Sequence, residues 1–313
     1  MNAAELGRAR DELASRYGPW NTHNIYLGEG VYTIGPPSLG GVEGRLRRIV
    51  QLCADLAGPL DALRIADLAA GEGNLAIEFA ARGAQGVAVE GREANLEKIR
   101  FVKDVLSLDS LEVVEDDVRY FTTDRYGAFD VVIAVGIVYH LDVPEVFDFL
   151  ANIRQATTRF AVIDGEVAGE TRASDSVSHA GVKYHGLRWR EPAGGDPLSR
   201  EVLWASMGNA YSFMFTRDSF MNALRAAGFT AALECHIPAL PEAATRVTAL
   251  ATCGTKQEYV TAPTLHEAPV GFAQELHLMA GWRRPSYARR VWARLPKPVR
   301  LAIKRLLGRG GPQ

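Results

Sequence analysis

Residues 65–73 read IADLAAGEG, a strand end, a turn and a helix start in nine residues. A short apolar run (Leu63, Ile65, Ala66) ends in Asp67, a turn of small residues follows (Ala69, Ala70, Gly71, Gly73), and Asn74 to Arg82 has helical character. That is a strand, a tight loop and a helix. Glycine and alanine leave room for a nucleotide-like ligand to approach the backbone, and the helix start adds unpaired N–H donors. The loop gains force because acidic residues end the next two strand-like runs, Glu90 after GVAV and Asp117 after LEVVED.

Outward from this stretch, strand and helix signals alternate. Strands are predicted near 63–67, 86–90, 111–115, 129–134 and 159–164, and helices near 73–82, 92–106 and 143–156. Short apolar strand runs suit a parallel sheet covered by helices on both faces. A helix near 217–227 and two strands, 229–237 and 246–253, complete an α/β, doubly wound, Rossmann-like sheet of seven strands, mostly parallel with an antiparallel terminal strand. Before the sheet lie an amphipathic helix (3–16), a loop-rich segment (18–44) and a helix (45–58). These divide the chain into an N-terminal helical cap and loop (1–58), a ligand-binding domain (59–255) with an irregular lid insertion (165–208), and a C-terminal extension (256–313).

The 313 residues are 47% apolar and 23% charged, ordinary for a globular protein. No apolar run is long enough to span a bilayer, the N-terminus lacks a signal-peptide core, and Cys53, Cys235 and Cys253 show no metal-binding spacing. A cytoplasmic protein is expected. The net charge of −2 hides a basic tail: from Arg283 onward there are ten Lys and Arg and no acid, which leaves residues 1–282 at −12. An acidic body argues against DNA as a partner. Residues 282–309 mix apolar and basic residues, and Pro296 and Pro298 divide them into two short helices. Such a segment suits contact with the inner face of a membrane, with a partner, or with the acidic body itself.

In a doubly wound sheet the ligand sits beyond the carboxyl ends of the strands, where strand order reverses. There Glu90 suits two ribose hydroxyls, Asp117 the exocyclic amine of adenine, and Asp67 either an ammonium group or the orientation of the loop.

The pattern resembles the class I S-adenosylmethionine-dependent methyltransferases, closely over 60–165 and more loosely over 205–253. DLAAGEG is similar to their Asp-x-Gly-x-Gly-x-Gly loop, with Asp67, Gly71 and Gly73 in register and Ala69 replacing a glycine, a replacement that requires a negative φ. VAVEG is similar to the second motif at Glu90, and EDDV to the third at Asp117, with Asp116 as competitor. FDVVIAVGIVYHLDVP (129–144) is similar to the fourth-strand segment. The resemblance implies S-adenosylmethionine as cofactor and adds Val118 and Gly136 to its contacts. Gly-x-x-Tyr-His-Leu, Asn209-Ala210-Tyr211 and the Ala-Gly-Phe ending at 229 are similar to a subgroup containing the tRNA wobble-uridine carboxymethyltransferase and many natural-product and glycan methyltransferases. Tyr17, before Gly18-Pro19-Trp20, stands where the tRNA enzyme has a carboxylate-binding lysine, which favours the ordinary cofactor.

Methyl transfer is an in-line displacement, and an alcohol acceptor benefits from a base. His140 is the first candidate, with Tyr139 beside it contacting cofactor or substrate; His23, His179 and His185 are alternatives. The SHAGVKYHGLRWREP stretch suits a lid over a small-molecule or glycan substrate, with His179, His185, Arg188, Trp189, Asn209 and Tyr211 as substrate contacts. Asp164, Glu166 and His179 form a weaker set for a divalent metal. The expected reaction is methyl transfer to an oxygen of a secondary metabolite or sugar-containing molecule. Alternatives are a tRNA-modifying enzyme, a binding module that has lost catalysis, and an NAD-dependent oxidoreductase, since Gly71-x-Gly73-x-x-Ala76 also fits the dinucleotide fingerprint.

Overall fold

The computed structural model describes residues 1–36, 41–169, 171–192, 205–235 and 245–254, all within one compact unit, Met1–Lys256. The extension 256–313, including the basic segment 282–309, lies outside the described residues.

The seven predicted strands form one sheet. They are β3 (Arg64–Leu68), β4 (Gln85–Glu90), β5 (Leu111–Glu115), β6 (Phe129–Val135), β7 (Thr157–Glu166), β11 (Ala231–Glu234) and β12 (Arg246–Thr252). Their order is β11-β12-β7-β6-β3-β4-β5. Strands β3 to β7 run parallel, and β12 is antiparallel to both β7 and β11. Strand order reverses between β3 and β6, so the loops after these two strands flank one crevice.

Alternation along each strand sends its side chains into two cores. On one face Ile65, Val131, Ile133 and Val162 pack with Leu46, Ile49 and Cys53 of α2 (Gly41–Ala57) and Leu75 and Phe79 of α3 (Asn74–Ala80). On the other, Ala66, Leu68, Val132, Ala134 and Ile163 pack with Phe149, Leu150 and Ile153 of α6 (Glu145–Ala156) and Phe220 and Leu224 of α7 (Arg217–Ala226). Helix α4 (Glu93–Leu106) buries Leu96, Ile99 and Val102. Each such side chain removed from water contributes roughly 1.5–3 kcal/mol.

The N-terminal helix α1 (Ala3–Tyr17) begins with a capping box: Glu5 N donates to Asn2 Oδ1 at 3.0 Å and Asn2 N to Glu5 Oε2 at 2.8 Å. A two-stranded ribbon, β1 (Tyr26–Gly28) and β2 (Val31–Tyr32), follows it.

The stretch 165–208 is not irregular where it is described. It contains β8 (Asp175–His179) and β9 (Val182–Arg190), which with β10 (Tyr211–Phe215) form a three-stranded antiparallel sheet. Period-two burial was present over 183–186, with Tyr184 and Gly186 inward, and it changes phase beyond Gly186. Residues 193–204 lie outside the described residues.

Candidate active site at the strand-order reversal

The loop after β3 is a chain of left-handed residues: φ is +54° at Ala69, +58° at Gly71 and +83° at Gly73. The expected negative φ at Ala69 is therefore wrong. The loop turns sharply enough to force a left-handed conformation on a residue with a Cβ, at a cost of about 1–2 kcal/mol. Gly73 also has no room for a side chain, since a Cβ there would lie 2.7 Å from Ile99 Cγ1.

Asp67, near the end of β3, is buried and its Oδ2 accepts from Ala76 N at 3.1 Å. Burial, reinforced by the nearby Glu90, pushes its carboxyl up to about 7 against the opposing Ala76 hydrogen bond. Glu90 closes β4, with Oε2 accepting from Gly71 N at 2.8 Å and Oε1 from Arg92 N at 2.9 Å. Burial raises its pKa, while these bonds and Asn95 oppose the rise. Beyond β5, Asp117 caps the turn Val118–Tyr120, accepting from Arg119 N at 2.9 Å and Arg119 Nε at 3.0 Å. Its neighbour Asp116 is held by the Tyr126 hydroxyl and by Arg125 at 2.9 Å. Val118 is buried beneath them.

Glu72, between the two glycines, is the least expected member of the loop. Its carboxylate accepts from Asn21 N (2.9 Å), Thr22 N (3.1 Å), His23 N (3.0 Å) and Lys98 Nζ (2.9 Å). Lys98 also donates to Pro19 O at 2.7 Å, and Asn74 N donates to His23 Nδ1 at 3.2 Å. The loop thus pins the segment 19–23. Desolvation of the half-buried His23 ring depresses its pKa to about 4 despite Glu72; it serves as a neutral acceptor at the start of α3.

After β6, Gly136 takes φ +79° and its N donates to Asp164 O at 2.8 Å. The turn Val138–His140 follows. The Tyr139 ring lies beside Gly165, and its hydroxyl hydrogen-bonds Arg246, a guanidinium that also reaches Asp164 Oδ1 at 2.7 Å through Nε. Burial raises the Tyr139 pKa. His140 Nδ1 lies 3.1 Å from Oε1 of Glu191, whose side chain is fully buried. Glu191 also accepts from Ser212 Oγ and, through Oε2, from Ser206 N at 3.1 Å. Burial would raise its pKa, but the bonds from His140 and Ser212 hold it below the usual carboxylate range.

The remaining candidates divide. Asn209 joins the His140 group, with Nδ2 donating to His140 O at 3.1 Å and Tyr211 O at 2.7 Å. Arg188 pairs with Asp142 (Nη2 to Oδ2, 2.6 Å) and lies over the exposed Tyr211 ring. Trp189 is half-buried, and its Nε1 has no hydrogen-bond partner among the described residues. His185 is exposed on β9. His179 stacks on Phe147 with centroids 4.0 Å apart and ties the hairpin to α6. The three-residue metal set does not assemble: Asp164 is taken by Arg246 and Thr248, and among the described residues no three His, Cys, Asp or Glu side chains converge.

Comparison with known proteins agrees with this geometry. Residues 65–159 match a family model described as a methyltransferase domain. The N-terminal domain of EvdMO1, solved in the presence of SAH (S-adenosylhomocysteine) and D-fucose, superposes with a TM-score of 0.62 at 22% identity, covering 81% of this chain and 98% of that one. The same domain with SAH bound gives 0.63. Full-length EvdMO1 gives 0.53, and the match covers 47% of its chain, so this chain spans about half its length. No curated protein matches. The matched residues 65–159 hold β3 to β6 and the loop after β3, and the sheet shares its fold with the EvdMO1 domain.

Proposed function

We propose that the protein transfers a methyl group to an oxygen of a small molecule, a secondary metabolite or a sugar-containing acceptor, with His140 as the base. The observation that carries this reading is the His140–Glu191 pair on the turn after β6, beside the reversal point. With Nδ1 facing a buried carboxylate, the proton sits on Nδ1 and Nε2 keeps its lone pair, the arrangement a base needs to take a hydroxyl proton.

The residues present fit the cofactor. Glu90 keeps acceptor capacity for ribose hydroxyls beyond its bonds to Gly71 and Arg92. Asp67, Ala69, Gly71 and Gly73 frame the loop, Asp117 and Val118 border the nucleobase end, and Gly136 and Tyr139 stand toward the methionine end. When bound, S-adenosylmethionine supplies an electrophilic sulfonium methyl. His140 Nε2 would accept the hydroxyl proton of the acceptor, freeing that oxygen to take the methyl group. Asn209, Tyr211, Arg188, Trp189, His179 and His185 stand on or beside the three-stranded sheet that would face the acceptor. The SAH and D-fucose with the EvdMO1 domain support a sugar-containing class.

The test is incubation with methyl-labelled S-adenosylmethionine and a panel of hydroxylated glycosides and phenols, read by mass spectrometry. Label on an oxygen, lost in His140→Asn, supports the reading; label on nitrogen, or transfer untouched by that substitution, overturns the oxygen-and-base assignment.

A further inference from the structure

Glu191 does more than touch His140. Its Oε2 accepts from Ser206 N at 3.1 Å, and the residues on either side of Ser206 are held by two arginines. Ala205 O accepts from Arg92 Nη2, and Met207 O accepts from Arg119 Nη2 at 3.0 Å. Arg92 and Arg119 each stand two residues after Glu90 and Asp117, the acids that end β4 and cap the turn after β5. Between these two arginines the Met207 side chain rests on bare backbone: a Cβ built at Gly91 would lie 2.0 Å from Met207 Cε. At the other end of this strap Ser206 Oγ donates to Asn209 O at 3.3 Å, and Asn209 donates to His140 O. The strap 205–209 therefore meets Gly91 and the arginines that follow Glu90 and Asp117 on one side, and both the ring partner and the backbone of His140 on the other.

We infer that Glu191 is a positioning residue: through one carboxylate it fixes the His140 tautomer and ties His140 to the strap whose Met207 covers Gly91, so that a ligand at the nucleoside end is felt at the base. The inference rests on the methyltransferase reading for the ligand, but not for the tautomer. One oxygen holds the ring and Ser212, the other holds the strap, and a bidentate acceptor with two occupied sides transmits a shift of either. Arg92 and Arg119 make the strap's position sensitive to whatever engages Glu90 and Asp117. That is a coupling between two places through a contiguous polar chain, with contacts on every step.

The test uses the full chain labelled with ¹⁵N-histidine, with S-adenosylhomocysteine as probe and His140→Asn to assign the signal. In the absence of ligand, above the ionisation range of the imidazole, His140 is expected as the Nδ1–H tautomer in the wild type and to lose that preference in Glu191→Gln, whose single carbonyl oxygen cannot serve both sides. Adding the probe is expected to shift the His140 resonances in the wild type. In Glu191→Gln that shift disappears while affinity for the probe stays within about fivefold. Met207→Ala, which leaves the carboxylate network intact, is expected to keep the tautomer and lose at least half of the ligand-driven shift. An unchanged tautomer in Glu191→Gln, or a full shift in both variants, overturns the inference. Failure of the wild type to bind the probe contradicts the methyltransferase reading instead, and the tautomer, read without ligand, still decides the role of Glu191.

Discussion

Lys98 Nζ lies 2.9 Å from Glu72 Oε1, and the two side chains are 0% and 4% exposed. The pair joins α4 to the glycine loop and, through Pro19 O and the amides of residues 21–23, to the N-terminal segment. Removing one partner strands the other charge. Lys98→Met is therefore expected to destabilise by about 3–5 kcal/mol, and the Lys98→Met, Glu72→Gln double variant by clearly less than the sum of the two singles. Urea denaturation of the four proteins measures this. Additive losses would show that the two groups are held independently.

Ala69 holds φ +54° in the loop after β3. Glycine takes this conformation without the Cβ penalty, so Ala69→Gly is expected to raise stability by about 1 kcal/mol. A rise in thermal midpoint checks it; a fall would mean that the packing of the Ala69 methyl outweighs the backbone strain.

Asp67 gives a pH signature. Its folded pKa of about 7 lies above the ordinary 3.8. The native state therefore holds a proton that the unfolded chain releases, and the stability this contributes is complete below about pH 4 and lost as pH rises through about 7. His23, depressed to about 4 by desolvation, acts in the opposite sense, losing its contribution as pH falls from about 6.5. Comparison with Asp67→Asn cancels the histidine. From pH 4 to 8 the variant should gain on the wild type by up to about 4 kcal/mol, measured by urea melts. A difference independent of pH would place the Asp67 carboxyl at its ordinary value.

Gly186 sits in β9 where a Cβ would lie 2.4 Å from the Met214 carbonyl oxygen and 2.7 Å from Phe213 Cζ. The carbonyl belongs to the paired strand and cannot swing away. Gly186→Ala is expected to cost about 2–3 kcal/mol, while Gly169→Ala, with nothing within 4 Å among the described residues, is expected to be nearly neutral. Thermal denaturation of both distinguishes them.

The doubly wound sheet was legible because its signals are local. Leu63 to Asp67, the GVAV run and FDVVIAV are apolar strands, each ending where a charge or a glycine must face the crevice. Glu90 and Gly136 could be found in the same way. Glu191 could not: it follows Arg190 in a charged stretch, and only the antiparallel register of β9 with β10, which sets Trp189 against Ser212, brings it to His140. Glu72 was in plain sight between two glycines, but a carboxylate there reads as loop polarity until the fold supplies Lys98 and the amides of 21–23. The small sheet β8-β9-β10 was missed because the alternation in β9 changes phase: Lys183 and His185 are exposed beside buried Tyr184 and Gly186, but beyond Gly186 the exposed Arg188 and Arg190 fall on the parity of the buried pair. His179 was singled out as a base or ligand, yet it stacks on Phe147, a pairing between distant elements that no spacing reveals.

In the proposed reaction the crevice beyond β3, β4 and β6 takes S-adenosylmethionine through Glu90. Calorimetric titration of the wild type and of Glu90→Ala with S-adenosylhomocysteine, with NAD in parallel, tests it most directly. Micromolar binding of the sulfur ligand, about −8 kcal/mol, no binding of NAD, and a loss of at least about tenfold in Glu90→Ala are expected. Undiminished affinity in Glu90→Ala, or preference for NAD, would contradict it.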